Sequence, residues 1–124
     1  MPARIVVVHD DSDFNVAATV ALTLAGYDVA AFVDPMAALH ALEAARTVEA
    51  LVTRMRFGPG RPNGLELARM ARRRRPDIRV LFIAKPEFAV HAAGLGDFIA
   101  TPTTPTDIVE GVRRLLEGNE FRPC

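Results

Sequence analysis

The residues in this sequence best suited to chemistry are His9, Asp10 and Asp11, which directly follow the apolar run Ile5 to Val8. Adjacent carboxylates can hold a divalent cation through oxygen ligands, and an imidazole beside them can add a nitrogen ligand or move a proton. Carboxylates at the start of a helix also have a simpler use. They satisfy its free N–H groups and complement its positive end, worth about 0.5 to 2 kcal/mol. Asp10 and Asp11 are open to both readings. His9 has no second ligand candidate at metal-binding spacing, which favours a polar strand-end role.

Three other stretches carry chemically suggestive residues. The run Arg72 to Arg75, with Arg69 and Arg79 nearby, is the one concentration of charge. It falls at the end of a helical pattern, where cations complement the macrodipole and stay solvated. No aromatic residues interleave with it to stack on bases, which argues against nucleic acid and leaves an acidic protein as the alternative contact. The segment Gly58 to Gly64 is rich in Gly and Pro, but it lacks the Lys-Ser/Thr of a phosphate-binding loop and follows the third strand rather than the first. It is expected to shape a rim. Thr101, Thr103, Thr104 and Thr106 suit capping and turn roles.

The chain has 124 residues, enough for one domain spanning 1–124 with its own core. Fifteen Lys and Arg balance fifteen Asp and Glu, so no global field draws it to nucleic acid or an anionic membrane. Cys124 is the single cysteine, which excludes an internal disulfide and a cysteine-ligated metal. No segment approaches the roughly 18 apolar residues of a membrane span, and Met1 to Arg4 lead into the first strand without a signal-peptide core. A soluble, cytoplasmic, stand-alone domain is expected.

The elements that must position these residues alternate regularly. Ile5 to Val8 is a strand, and Ser12 is placed to cap a helix through about Ala25. Gly26 provides a left-handed stop before a second strand, Tyr27 to Phe32. Asp34 and Pro35 open a second helix whose Ala38, Leu42 and Ala45 share a face. Glu49 to Met55 is the third strand, with Arg54 and Arg56 at its polar end. A helix from Leu65 to Arg74 stops before Pro76, and Ile78 to Ala84 is the fourth strand. Only Glu87 to about Ala93 can form a fourth helix, so it must be short. Asp97 to Ala100 is a fifth strand, Thr104, Pro105 and Asp107 open the last helix, and Asn119 to Cys124 is a frayed tail. Strict strand-helix alternation implies an α/β fold with a parallel sheet covered on both faces. The first strand, apolar throughout, belongs at its centre.

RIVVVHDDSDF, NGLELARMARRRRPDIRVLFIA and DFIATPTTPTDIVEGVRRLL, in this order and spacing, resemble the response-regulator receiver domain of two-component signalling. The resemblance covers essentially the whole chain and implies a flavodoxin-like (βα)5 sheet with strand order 2-1-3-4-5. Receivers accept a phosphoryl group on an Asp after the third strand, with Mg²⁺ held by an acidic pair after the first. A hydroxyl after the fourth strand and a Lys before a Pro after the fifth bind the phosphoryl oxygens.

Mapped onto these positions, His9 and Asp10 fall on the acidic pair, with Asp11 one step beyond. Arg54 falls on the acceptor, with Arg56 as the alternative if the following loop shifts the match. Ala84 falls on the hydroxyl position, Thr101 on the Lys before Pro102, and Phe98 on the aromatic switch. The resemblance therefore implies a degenerate receiver that binds no cofactor, including Mg²⁺, and is not an enzyme. Arg54 is expected to reach Asp10 and occupy the metal's place. Such a domain would act by protein-protein contact, through the surface near Glu87, His91 and Phe98, with a histidine kinase, an output protein or a second copy of itself. The alternatives are a phosphotransfer protein with an unusual acceptor residue, or a ligand or nucleic-acid binder working through the Arg-rich helix.

Overall fold

The computed structural model describes residues 3–56 and 63–118. The rim segment at residues 57–62 and the tail at residues 119–124, both read from the sequence, lie outside this description. β1 (Arg4–Val8), α1 (Ser12–Leu24), β2 (Asp28–Phe32), α2 (Pro35–Ala44), β3 (Ala50–Arg54), α3 (Gly64–Arg74), β4 (Arg79–Ala84), α4 (Ala89–Ala92), β5 (Asp97–Ala100) and α5 (Pro105–Gly118) follow one another in strict alternation. A single 3₁₀ turn, Pro86–Phe88, precedes α4. All strand pairs are parallel and the order is β2-β1-β3-β4-β5, as the resemblance implies.

β1 is central because its side chains are apolar on both faces. Val6 and Val8 pack with Leu42, Leu67, Ala71 and Phe82 in one layer. Ile5 and Val7 pack with Leu22, Ile108 and Val112 in the other. A two-residue period thus feeds two cores from one strand. α1 presents Asn15, Ala18 and Leu22 inward. It stops where Gly26 adopts a positive φ of 101°, a left-handed conformation that costs Gly little.

The cap of α1 differs from the sequence expectation. Asp11, not Ser12, is its N-cap, and the carboxylate accepts hydrogen bonds from the N–H groups of Asp13 and Phe14. A carboxylate at this position adds a favourable charge at the helix's positive end, and Ser12 becomes the first helical residue. Asp34 and Thr104 take the corresponding roles for α2 and α5. α3 begins with a reciprocal capping box between Asn63 and Glu66.

The arginine run is tied to the backbone more closely than a solvated face would be. Arg75 donates from Nε to the carbonyl of Leu42 (2.9 Å), from Nη1 to that of Arg46 (3.2 Å), and from Nη2 to that of Ala45. These are carbonyls at or just past the end of α2, which has no basic residue of its own in its last turn. Arg72 donates to the carbonyl of Ile78, Arg79 to that of Leu116, and Arg74 pairs with Glu43. A planar guanidinium with five donors suits this task.

Candidate functional site

Parallel strands place their carboxyl ends along one edge, and ligand sites of open α/β sheets lie there, where neighbouring connections diverge. The divergence here falls between β1 and β3. The chain leaves β1 toward β2 on one side, and β3 leads to β4 on the other. Asp10 and Arg54 flank that point, and both line a groove with His9, Asp11, Ala84, Thr101 and Phe88.

The central contact is an ion pair in which Arg54 Nη1 donates to Asp10 Oδ1. Arg54 is the last residue of β3 and projects from the sheet edge, with its side chain 43% exposed against 29% for Asp10. Burial pushes the Asp10 carboxyl upward, but the hydrogen bond and charge of Arg54 prevail and hold it below its ordinary value. Asp10 is therefore ionised and its charge compensated.

His9 is held neutral. Its Nδ1 accepts the N–H of Asp11 at 3.0 Å, which requires an unprotonated nitrogen there, and its ring stacks on Phe14 with centroids 4.2 Å apart. Burial first, and the Arg54 charge second, depress its pKa against the pull of Asp10 and Asp11. The 3.6 Å separation of His9 Nδ1 from Asp10 Oδ1 is accordingly a contact of two acceptors rather than a salt bridge.

Asn15 holds this corner together, although the sequence reading did not single it out. Its Nδ2 donates to the carbonyls of His9 (2.8 Å) and Phe32 (3.2 Å), joining the ends of β1 and β2, while the backbone N–H of His9 also donates to Phe32. A polar residue in step with Ala18 and Leu22 on the inward face of α1 is the signal that marks it. Gly64 is the second missed contributor. An added Cβ there would lie 2.1 Å from the carbonyl oxygen of Arg54, so the start of α3 can approach the end of β3 only without a side chain.

The remaining sequence-selected residues divide into those at the groove and those outside it. Ala84 offers its carbonyl to the N–H of Thr101 (2.9 Å) and has no hydroxyl to present. Thr101 lines the groove; Pro102, joined to it by a cis peptide bond, is exposed and does not. Arg56 also lines the groove and lies over the Phe88 ring at 5.5 Å. Glu87 borders the groove, His91 sits beside the Phe88 ring at 6.2 Å, and Phe98 is half-buried against the core.

The donor set does not fit Mg²⁺, which needs free carboxylate oxygens in an octahedral arrangement. The Asp10 carboxylate is occupied by a guanidinium, that of Asp11 caps α1, and His9 turns its lone pair to the backbone. Among the described residues no group of three or more His, Cys, Asp or Glu is placed to hold a metal.

This architecture has close structural counterparts. A CheY-like response regulator receiver domain protein from Methanospirillum hungatei superposes with a TM-score of 0.83 at 22% identity, over 97% of this chain and 98% of that one. The fold is that of a receiver domain. A response regulator receiver protein from Sinorhizobium medicae matches this receiver fold with a TM-score of 0.81 at 24% identity, over 93% and 94% of the two chains. NtrX from Brucella abortus, solved in complex with ADP, matches with a TM-score of 0.85 at 26% identity; 97% of this chain covers 28% of that longer one. No family model matches the sequence. No helix among the described residues is long and apolar enough to cross a membrane.

Proposed function

We propose that this chain is a degenerate receiver domain of two-component signalling, one that takes up no phosphoryl group and works by binding a protein partner independently of phosphorylation. The observation that carries this proposal is Arg54. A guanidinium stands at the end of β3 and holds Asp10, where a receiver would present a carboxylate acceptor beside a metal-binding acid. A protonated guanidinium presents no nucleophilic lone pair to a phosphoryl group, and its hold on Asp10 removes the electrostatic need for a divalent ion. The missing hydroxyl at Ala84 and the missing Lys at Thr101 support the same conclusion, because each would have bound a phosphoryl oxygen.

The partner surface that the receiver resemblance suggests is formed by the short α4, β5 and α5, with Glu87, His91 and Phe98 on or beside it. A histidine kinase or an output protein is the partner class proposed there.

Incubation with acetyl phosphate and Mg²⁺ followed by intact mass measurement tests the proposal. No adduct of about 80 Da is expected, and millimolar Mg²⁺ should leave the melting temperature unchanged. A stable adduct on this chain would overturn the proposal in favour of a phosphotransfer protein with an unusual acceptor.

A further inference from the structure

Helix α1 carries two apolar stripes rather than one. Ala18 and Leu22 face the core, whereas Val16, Val20 and Leu24 recur every four residues on the outside and are 63%, 53% and 82% exposed. Val33 and Met36, between β2 and the first turn of α2, are also exposed. Val16, Val20 and Val33 line one groove over Phe32. By contrast, among the described residues the α4 side has a single exposed large apolar residue, Val90. Apolar surface gathered on one face of a small domain marks a contact site.

The charge around this groove is one-sided. No Lys or Arg lies between Arg4 and Arg46, and Phe14 to Tyr27 contains no charged residue. Of the acids in that span, Asp10, Asp28 and Glu43 are each paired with an arginine from elsewhere in the chain. Asp11, Asp13 and Asp34 belong to none of the ion pairs among the described residues, and all three sit at the N-terminal ends of α1 and α2. Asp34 itself lines the groove. The groove is therefore apolar along its length and acidic at one mouth.

We infer that the α1–β2–α2 groove docks a basic amphipathic helix of a partner protein, with apolar anchors four residues apart and Arg or Lys at the end that meets Asp13 and Asp34. Anchors at this spacing match the helix-in-groove mode, and the cations supply what this face lacks. A second copy pairing through the same face would bring no cation to these acids, and the acidic mouth repels phosphate-bearing surfaces. The inference concerns a different face from the carboxyl-edge groove and does not depend on whether that groove takes phosphate.

Selection of a randomised library of displayed helical peptides against the full chain tests it. The enriched peptides should combine apolar residues at i and i+4 with a basic cluster at one end. They should bind the Val20→Glu variant about tenfold or more weakly, as when one interface anchor is lost. Asp13→Asn should weaken them severalfold at low salt and much less at high salt. Both positions are exposed, and unchanged thermal unfolding of each variant would show that the fold is intact. An empty selection, enrichment of acidic or uncharged peptides, or binding indifferent to Val20→Glu would overturn the inference. So would self-association of the chain that Val20→Glu abolishes.

Discussion

The two edges of the sheet use the same side chain for different ends. At the carboxyl edge Arg54 meets a side-chain carboxylate, with much of its length in water. At the amino edge Arg75 meets three main-chain carbonyls in the last turn of α2 and just past it, and Arg79 meets the carbonyl of Leu116 in α5. The carbonyls cannot move away without unwinding a helix end, whereas Asp10 can turn to water. The amino-edge arginines thus hold elements in place, and the carboxyl-edge arginine sets the charge of a groove.

The largest effect should come from the backbone that supports Arg54 rather than from Arg54 itself. Gly64→Ala places a methyl against the Arg54 carbonyl, and the resulting shift should cost about 3 kcal/mol in urea unfolding. Arg75→Ala should cost about 2 kcal/mol, because charge-assisted bonds to three carbonyls are lost together. Arg75→Lys should recover less than half of that, since an ammonium cannot span the three acceptors.

A smaller effect should appear on acidification. The folded protein holds the His9 pKa below its ordinary value of 6.5, so the unfolded chain binds the proton more readily. Stability should be complete above pH 6.5 and decline as pH falls below it toward the folded value, and His9→Gln should flatten that decline. Asp10, whose pKa is also lowered, loses its contribution only in a more acidic window, as pH falls through about 3.8 and below. The smallest effect should be that of Arg54→Ala, under about 1 kcal/mol and reduced further by salt, as suits a half-exposed ion pair. If Arg54→Ala proved more costly than Arg75→Ala, the contrast between the two edges would collapse.

Much of the fold was legible in the residues. Strand positions, the stop at Gly26, the start at Asp34-Pro35 and the brevity of α4 follow from short-range preferences that the tertiary structure had no reason to override. The cap of α1 moved because Asp11 and Ser12 compete for it, and β2, β3 and β4 each begin one residue later than the sequence pattern suggests. The arginine run was readable as charge but not as a set of carbonyl ligands. Its partners at Leu42, Ala45 and Leu116 lie some thirty or more positions away in the chain.

The sequence by itself determined an alternating α/β chain, a central β1 and an acidic corner at Asp10, because hydrophobic period and turn chemistry act over a few residues. It also placed Arg54 near the end of β3, whose pattern runs to Met55; the structure ends the strand at Arg54 itself. Only the tertiary structure decided that Asn15 ties the ends of β1 and β2, that Gly64 must lack a side chain, and that a second apolar stripe on α1 has no covering element among the described residues. Each of these depends on which atoms the topology brings within a few ångströms, a property of the packed chain that local pattern does not carry.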